Sequence, residues 1–438
     1  MKTLKTLASR WLPPGGFTRS VSILVGGTGV GQLLLIASSP LLTRLYTPEA
    51  FGQFQVYFSL MMFVALTATW KYELAVLLPD SDETAARLLA GIMAIVLGMS
   101  VVFAGAMWWF KGSGLLPAQY QPLRPYWWLL PFSYCGAGLY LALSYWALRR
   151  KDYSLVATTK VTQSASLVLT QLAGGLLRIG VLGLLAGDTI GRINGTIRLL
   201  LSAWRQARQY IAGMTVRGVW DALARYRRFP QLSLGASLIN TAGSSLPPLM
   251  MAQWFGPGVL GWFALVDRVM GMPAAVIGQA ASQVFMSEAA PLVTADPRRL
   301  QALFLKTVRK LALLGLGPCL VVVAVAPLLF SWIFGQSWHE AGIYARILVA
   351  MHYVAFVAWP LTPTLNLLEH QHWQLAWDIL RLAATAAALL LCHHWGCSAR
   401  VGMAAYGVAM TAAYLAHLLL SAFAIQKLCR APAPGVAA

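Results

Sequence analysis

Long apolar runs recur along the chain, each broken by a short polar interruption. A helix needs ~20 apolar residues to cross the hydrocarbon core of a bilayer. On that rule the pattern predicts twelve spans: Ser20–Leu42, Phe51–Thr69, Leu88–Phe110, Trp127–Leu148, Leu155–Leu176, Ile179–Leu201, Leu232–Ala252, Val259–Gln279, Leu311–Phe330, Ala341–Leu361, Leu375–Trp395 and Val401–Ile425. Only Leu177 and Arg178 separate the fifth from the sixth, which predicts a tight helical hairpin. Composition agrees, with 58% hydrophobic and 11% charged residues, where a soluble domain carries about 25% charged. The chain reads as an all-α integral membrane protein. Lys2, Lys5, Arg10 and Arg19 precede the first run, which is too long for a signal-peptide core and is expected to be retained as a span.

The net charge of +19 invites a nucleic-acid reading, but its distribution removes it. With the N-terminus in the cytoplasm, most Lys and Arg flank the spans on that side, and only Arg44, Lys111, Arg124, Arg178 and Arg400 fall opposite. Both termini are therefore expected in the cytoplasm, and the charge is a topology signal. The longest hydrophilic stretch, Arg205–Gln231, interleaves six arginines with Ile211, Val219, Trp220, Leu223 and Tyr226. It is either an amphipathic helix lying on anionic headgroups or an ordinary charged linker. Both readings divide the chain into an N-terminal lobe (1–204), a cytoplasmic basic linker (205–231) and a C-terminal lobe (232–438). Six spans per lobe insert both lobes the same way up, as a parallel repeat. A ten-residue turn supports the duplication. Leu45–Phe54 (LYTPEAFGQF) and Trp254–Phe263 (WFGPGVLGWF) each join the first two spans of a lobe, and Pro48, Gly52 and Phe54 match Pro257, Gly261 and Phe263.

Charged side chains inside spans are costly and usually face a cavity or a partner. Asp188 and Arg192 lie four apart in the sixth span, either as a self-neutralising pair or as the lining of a polar cavity. Asp267 and Arg268 are adjacent near the middle of the eighth, about 100° apart, so at least one should face the bundle interior. Arg346 lies several residues inside the tenth span and either enters the cavity or snorkels to the surface. Lys71 and Glu73 end the second span, as interfacial anchors or an inner-gate salt bridge. The five cysteines show neither metal-ligand spacing nor a secreted disulfide framework, and Cys392-His-His-x-x-Cys397 reads as incidental. His352, His370, His372, His393 and His394 show no metal or relay spacing. Gly26–Gly31 lacks the context of a phosphate loop, and Gly27 with Gly31 better suits close helix packing. Asp80-Ser81-Asp82 with Glu83 suits helix capping.

Four stretches resemble the Wzx-type oligosaccharide flippases, polysaccharide export proteins of the multidrug/oligosaccharidyl-lipid/polysaccharide (MOP) exporter superfamily. They are Leu42–Phe54, Tyr72–Leu89 (YELAVLLPDSDETAARLL), Arg268–Ala290 (RVMGMPAAVIGQAASQVFMSEAA) and Leu329–Leu348 (LFSWIFGQSWHEAGIYARIL). The resemblance implies a MATE-like fold of two six-helix lobes around a cavity that opens alternately to each side, the paired turns marking where the lobes part. It implies a non-enzymatic transporter in the bacterial inner membrane. Its cargo would be undecaprenyl-diphosphate-linked sugar units, moved to the periplasmic leaflet for lipopolysaccharide, O-antigen, capsule or exopolysaccharide. Lipid II flippases carry two further spans, which weighs against a peptidoglycan role. The diphosphate would meet Arg268, Arg192 and Arg346, with Asp188, Asp267, Lys71 and Glu73 left for coupling or gating. Trp108, Trp109, Tyr120, Tyr126, Trp127 and Trp128 would stack on sugars or form an interfacial belt. No cofactor is implied, and a proton or sodium gradient is the candidate energy source. Membrane lipids, and the polymerase and chain-length regulator of the same pathway, are the implied partners. Two alternatives stay open: a MATE-like cation or drug antiporter, whose cavity should be acidic, and a membrane polysaccharide polymerase, which should carry a long periplasmic loop.

Overall fold

The computed structural model describes residues 16–112, 118–211 and 213–430, all helix or turn, with no strand among them. A helix stands at each predicted span. In the first half these are α1 (Gly16–Leu45), α2 (Pro48–Ala65), α3 (Asp82–Gly112), α4 (Leu129–Arg149), α5 (Tyr153–Leu176) and α6 (Val181–Ile211). The basic stretch contains α7 (Val216–Arg225). The second half continues with α8 (Leu234–Phe255), α9 (Pro257–Val266), α10 (Met272–Ala295), α11 (Pro297–Phe334), α12 (His339–Ala358), α13 (Gln371–His394) and α14 (Ala399–Arg430). Seven helical segments of the described chain are individually long and apolar enough to cross a membrane. Of the others, α5 and α6 carry Lys160, Gln163 and Gln171, and Asp188 and Arg192. Their polarity is turned inward, as the cavity described below shows. The chain is a multi-pass membrane protein.

The chain divides into two compact units. One comprises Val56–Leu238 with the chain up to Tyr46, the other Thr47–Gln55 with Ile239 onward. In the first unit α3 packs on α4, α4 on α6 and α6 on α5. In the second α11 packs on α12, α12 on α14 and α14 on α13. The third, fourth, fifth and sixth spans of each half thus choose the same neighbours, as a parallel repeat requires. Gly27 and Gly31 let α1 lie against α5: a Cβ on Gly27 would stand 2.6 Å from that of Ala157, and one on Gly31 2.8 Å from Ser164 Oγ.

The eighth span is interrupted by one π turn, Asp267–Gly271, between α9 and α10. Pro273 has no N–H for the carbonyl four residues back, which is where a helix accommodates an extra residue. The basic helix α7 starts on a Thr215 cap, whose Oγ1 accepts from Gly218 N at 3.1 Å. It packs Ala222 and Leu223 onto α3 over Gly91, while Val216 and Trp220 stay exposed. The start of α3 is capped by Ser81, whose Oγ accepts from Thr84 N at 3.2 Å. Asp80 is not the cap: Asp82 pairs with Arg149 and Arg150, and Glu83 with Arg87.

The two copies of the repeated turn pack against each other within the second unit. A Cβ on Gly52 would fall 1.7 Å from the Pro257 carbonyl oxygen, and one on Gly261 1.8 Å from that of Pro48. Each copy's glycine thus receives the other copy's proline. Phe51 and Trp338 meet edge to face beside them, 5.0 Å between centroids.

Candidate functional site

In the first unit a cavity of about 390 Å³ opens between α2, α4, α5 and α6, its lining mostly apolar with a few charged side chains set into it. Its position follows from glycines. Gly183, Gly187, Gly191 and Gly195 recur every four residues on α6, and Cβ atoms there would stand 2.3–3.0 Å from Tyr46, Gln171, Gln163 and neighbouring atoms. This ridge draws α6 onto α5, and the residues one step round the helix, Asp188 and Arg192, line the cavity. Arg192 Nε and Nη2 donate to Asp188 Oδ2 and Oδ1 at 2.7 and 3.0 Å. The carboxylate is buried and the guanidinium partly open, with the Phe58 ring 5.9 Å away. Behind Asp188, Tyr57, Ser133 and Thr189 close a hydroxyl triangle at 2.7, 2.8 and 3.3 Å. Both sequence readings of this pair hold together: it is self-neutralising and it lines a cavity.

Lys160, on the facing side of α5, places Nζ 4.8 Å from the Tyr140 ring centroid and has no carboxylate partner among the described residues. A third cation enters through strain. Trp70 and Lys71 both adopt positive φ, 51° and 64°, a backbone that non-glycine residues avoid. The chain reverses there, and Lys71 lines the cavity. The buried Glu73 carboxylate lies 4.0 Å from Lys71 Nζ and accepts from Thr69 Oγ1 at 2.6 Å. Glu73 thus answers Lys71 and Asp188 answers Arg192, which leaves Lys160 as the cavity's uncompensated cation among the described residues. An excess of positive charge in low-dielectric surroundings suits an anion, and guanidinium and ammonium groups supply the donors for phosphate.

A second cavity, about 270 Å³, lies within the second unit and is lined by Asp267, His352, Arg381, Tyr406 and Tyr414. Asp267 is exposed to it. The π turn brings Gly271 beneath the carboxylate, where a Cβ would stand 2.9 Å from Oδ1. Arg381 donates to Asp378 Oδ1 at 3.2 Å, and Asn240 Nδ2 shares that oxygen at 3.1 Å. His352 Nε2 is buried without a hydrogen-bond partner among the described residues. Arg268, the neighbour of Asp267, does not line this cavity. Arg346 lies on the exposed side of α12 and donates from Nη2 to the Ala324 carbonyl at 2.6 Å. The structure therefore gathers Arg192, Asp188 and Lys71 in one site and Asp267 in another, and leaves Arg268 and Arg346 apart from both. Lys160 and Arg381 complete the sites and escape the sequence reading: each lies inside a predicted span but close to its end, where a basic residue reads as a flank. The four-residue glycine rhythm of α6 was the available signal for Lys160.

Trp108, Trp127 and Trp128 line a largely apolar groove of about 580 Å³ between α3 and α4, with Arg124 at one end. Trp109 is exposed nearby and Tyr126 half-buried; the side chain of Tyr120 lies outside the described residues. None of these aromatic residues lines the cavities of Asp188 or Asp267.

The model of a family described as polysaccharide biosynthesis protein matches residues 41–342. The chain belongs to this family. No curated protein matches it in sequence. Its fold is that of the MOP transporters. It superimposes on an inward-facing multidrug resistance MATE family transporter of that superfamily with a TM-score of 0.71 at 13% identity, covering 91% of this chain and 95% of that one. The lipid II flippase MurJ, in an inward closed conformation, gives 0.71 at 10% identity, covering 93% and 89%. A MOP superfamily transporter from Pyrococcus furiosus, whose reverse-polarity binding pocket suggests a different function, gives 0.62 at 12% identity, covering 94% and 97%.

Proposed function

We propose that this member of the polysaccharide biosynthesis family flips undecaprenyl-diphosphate-linked oligosaccharides from the cytoplasmic to the periplasmic leaflet of the bacterial inner membrane, by alternating access. The observation that carries the reading is the basic cavity of the first unit. Lys160 has no carboxylate partner among the described residues, and Arg192, although paired, keeps its outer edge toward the cavity. A diphosphate leaving water needs fixed cations of this kind. A cavity of about 390 Å³ has room for a headgroup, not for the whole lipid. Arg268 and Arg346 keep no part in this scheme.

An antiporter for cations or drugs is the second reading, and the exposed Asp267 carboxylate in the second unit favours it. In the flippase reading the same carboxylate exchanges a proton or sodium ion. Asp188 has both oxygens committed to Arg192, and Asp267 makes no hydrogen bond among the described residues.

The test is deletion of the gene in a strain without a redundant flippase, followed by assay of lipid-linked repeat units in each leaflet. Accumulation on the cytoplasmic side, reversed by the wild-type gene, is expected. Normal surface polysaccharide in the deletion strain would refute the flippase reading.

A further inference from the structure

The C-terminal end of α13 holds a pair of cysteines that the transport scheme does not use. Gly396 takes φ 65° directly after the helix. Gly396 N–H donates to the His393 carbonyl at 3.1 Å, and Cys397 N–H to the Cys392 carbonyl at 2.8 Å. These bonds, with a left-handed glycine between them, form a Schellman cap, in which the side chains three residues before and two after the C-cap Trp395 commonly meet. Here both are cysteines. Both thiols are free, Cys392 is buried and Cys397 half-buried. Cys135 and Cys319 sit inside α4 and α11, and Cys429 near the end of α14, so no other cysteine is placed to compete.

We infer that Cys392 and Cys397 are a disulfide site, oxidised when the loop between α13 and α14 reaches the periplasm. The inference rests on the orientation used above, in which that loop and Arg400 face outward. Disulfides persist in that compartment and not in the cytosol. In the reaction, one thiolate attacks the disulfide of a thiol-oxidising protein to form a mixed disulfide. The second thiolate displaces the oxidant as a dithiol. Two protons and two electrons leave the pair, one S–S bond forms in the transporter and one is reduced in the oxidant. The backbone bond from Cys397 N–H to the Cys392 carbonyl holds the two residues side by side, as the short reach of a disulfide demands.

The site lies where a staple has leverage on the second unit. His393, between the cysteines, stacks on Trp254 at 5.1 Å with the rings 10° apart. Across the loop, Gly402 abuts the Phe255 ring, a Cβ there standing 2.5 Å from Cζ. Trp254 and Phe255 begin the second copy of the repeated turn. A disulfide would fix the helix end that supports this copy.

The experiment uses the full-length protein in its own membranes. The membranes are dissolved in denaturing detergent with N-ethylmaleimide, so that burial does not shield a free Cys392, and the chain is then reduced and treated with a second, mass-distinct maleimide. The expected result is that Cys392 and Cys397 take only the second reagent, and that Cys392→Ser or Cys397→Ser makes the remaining partner take the first. Blocking of both wild-type thiols before reduction would overturn the proposal. The side is read separately by Ser398→Cys in a Cys392→Ser/Cys397→Ser background, using a membrane-impermeant maleimide on spheroplasts. Labelling there, with a reduced wild-type pair, sinks the disulfide and spares the orientation. Protection there refutes the orientation and the oxidation route with it.

Discussion

Lys160 and Asp188 show how much one side chain carries when the surroundings exclude water. A hydrogen bond to a charged group contributes about 1.5–3 kcal/mol, so loss of the Lys160 ammonium should lower flipping on the order of 10- to 100-fold. Lys160→Ala should show that loss in a reconstituted flipping assay and Lys160→Arg should recover most of it; unchanged transport in Lys160→Ala would remove the residue from the site. Asp188 answers to stability first. Removing one partner of a buried ion pair costs about 3–5 kcal/mol, because the other charge is left uncompensated, whereas an apolar replacement of both is often neutral. Asp188→Ala should therefore lower the unfolding temperature in detergent strongly, and Asp188→Leu with Arg192→Met should restore it without restoring transport. If the double variant melts below the single one, the pair is not the self-contained unit its two hydrogen bonds describe. In the second unit, Asp267→Asn should abolish the dependence of transport on the ion gradient while leaving downhill exchange. Gradient-driven transport intact in Asp267→Asn would exclude this carboxylate from coupling.

At the scale of elements, the most apolar helices were legible because an apolar run has no other way to satisfy its backbone in lipid. The ion pair in α6 was legible too, since four residues separate Asp188 from Arg192 on one face. Lys160 and Arg381 were not, because charge near a span end is indistinguishable from a flank until the neighbouring helix is placed. The π turn at Asp267–Gly271 has a visible cause in Pro273, yet a proline inside an apolar run predicts a kink and not which carboxylate the kink presents. The repeated turn was legible as a duplication, and its reciprocal contact was not, because pairing Gly52 with Pro257 and Gly261 with Pro48 is a tertiary event. That contact makes its own prediction. A methyl group at either glycine overlaps a carbonyl oxygen, an overpacking that typically costs about 1–3 kcal/mol. Gly52→Ala and Gly261→Ala should each lower the apparent unfolding temperature. Combined, they should cost less than their sum, since the first displacement makes room for the second. Strict additivity in scanning fluorimetry would mean that the two glycines do not share one contact.

For the whole molecule, the division of the chain is not the division of its sequence. A cut through the basic stretch separates two halves of six predicted spans, each able to insert in the same orientation. The second compact unit nevertheless includes Thr47–Gln55, the first turns of α2, which a C-terminal half would lack. Without them Gly261 loses the Pro48 carbonyl that covers it, and Trp338 loses the edge of Phe51. Severing the chain between Arg227 and Arg228 keeps α7 with the first unit, where Leu223 is packed on α3. The C-terminal fragment expressed alone should then be protease-sensitive in membranes. Co-expression with the N-terminal fragment should restore resistance and let one fragment be purified through a tag on the other. Gly52→Ala placed only in the N-terminal fragment should weaken that co-purification, because it perturbs the segment the second unit borrows. Equal resistance of the C-terminal fragment with and without its partner would show that Thr47–Gln55 is dispensable to the unit it packs in, and that each half carries its fold alone.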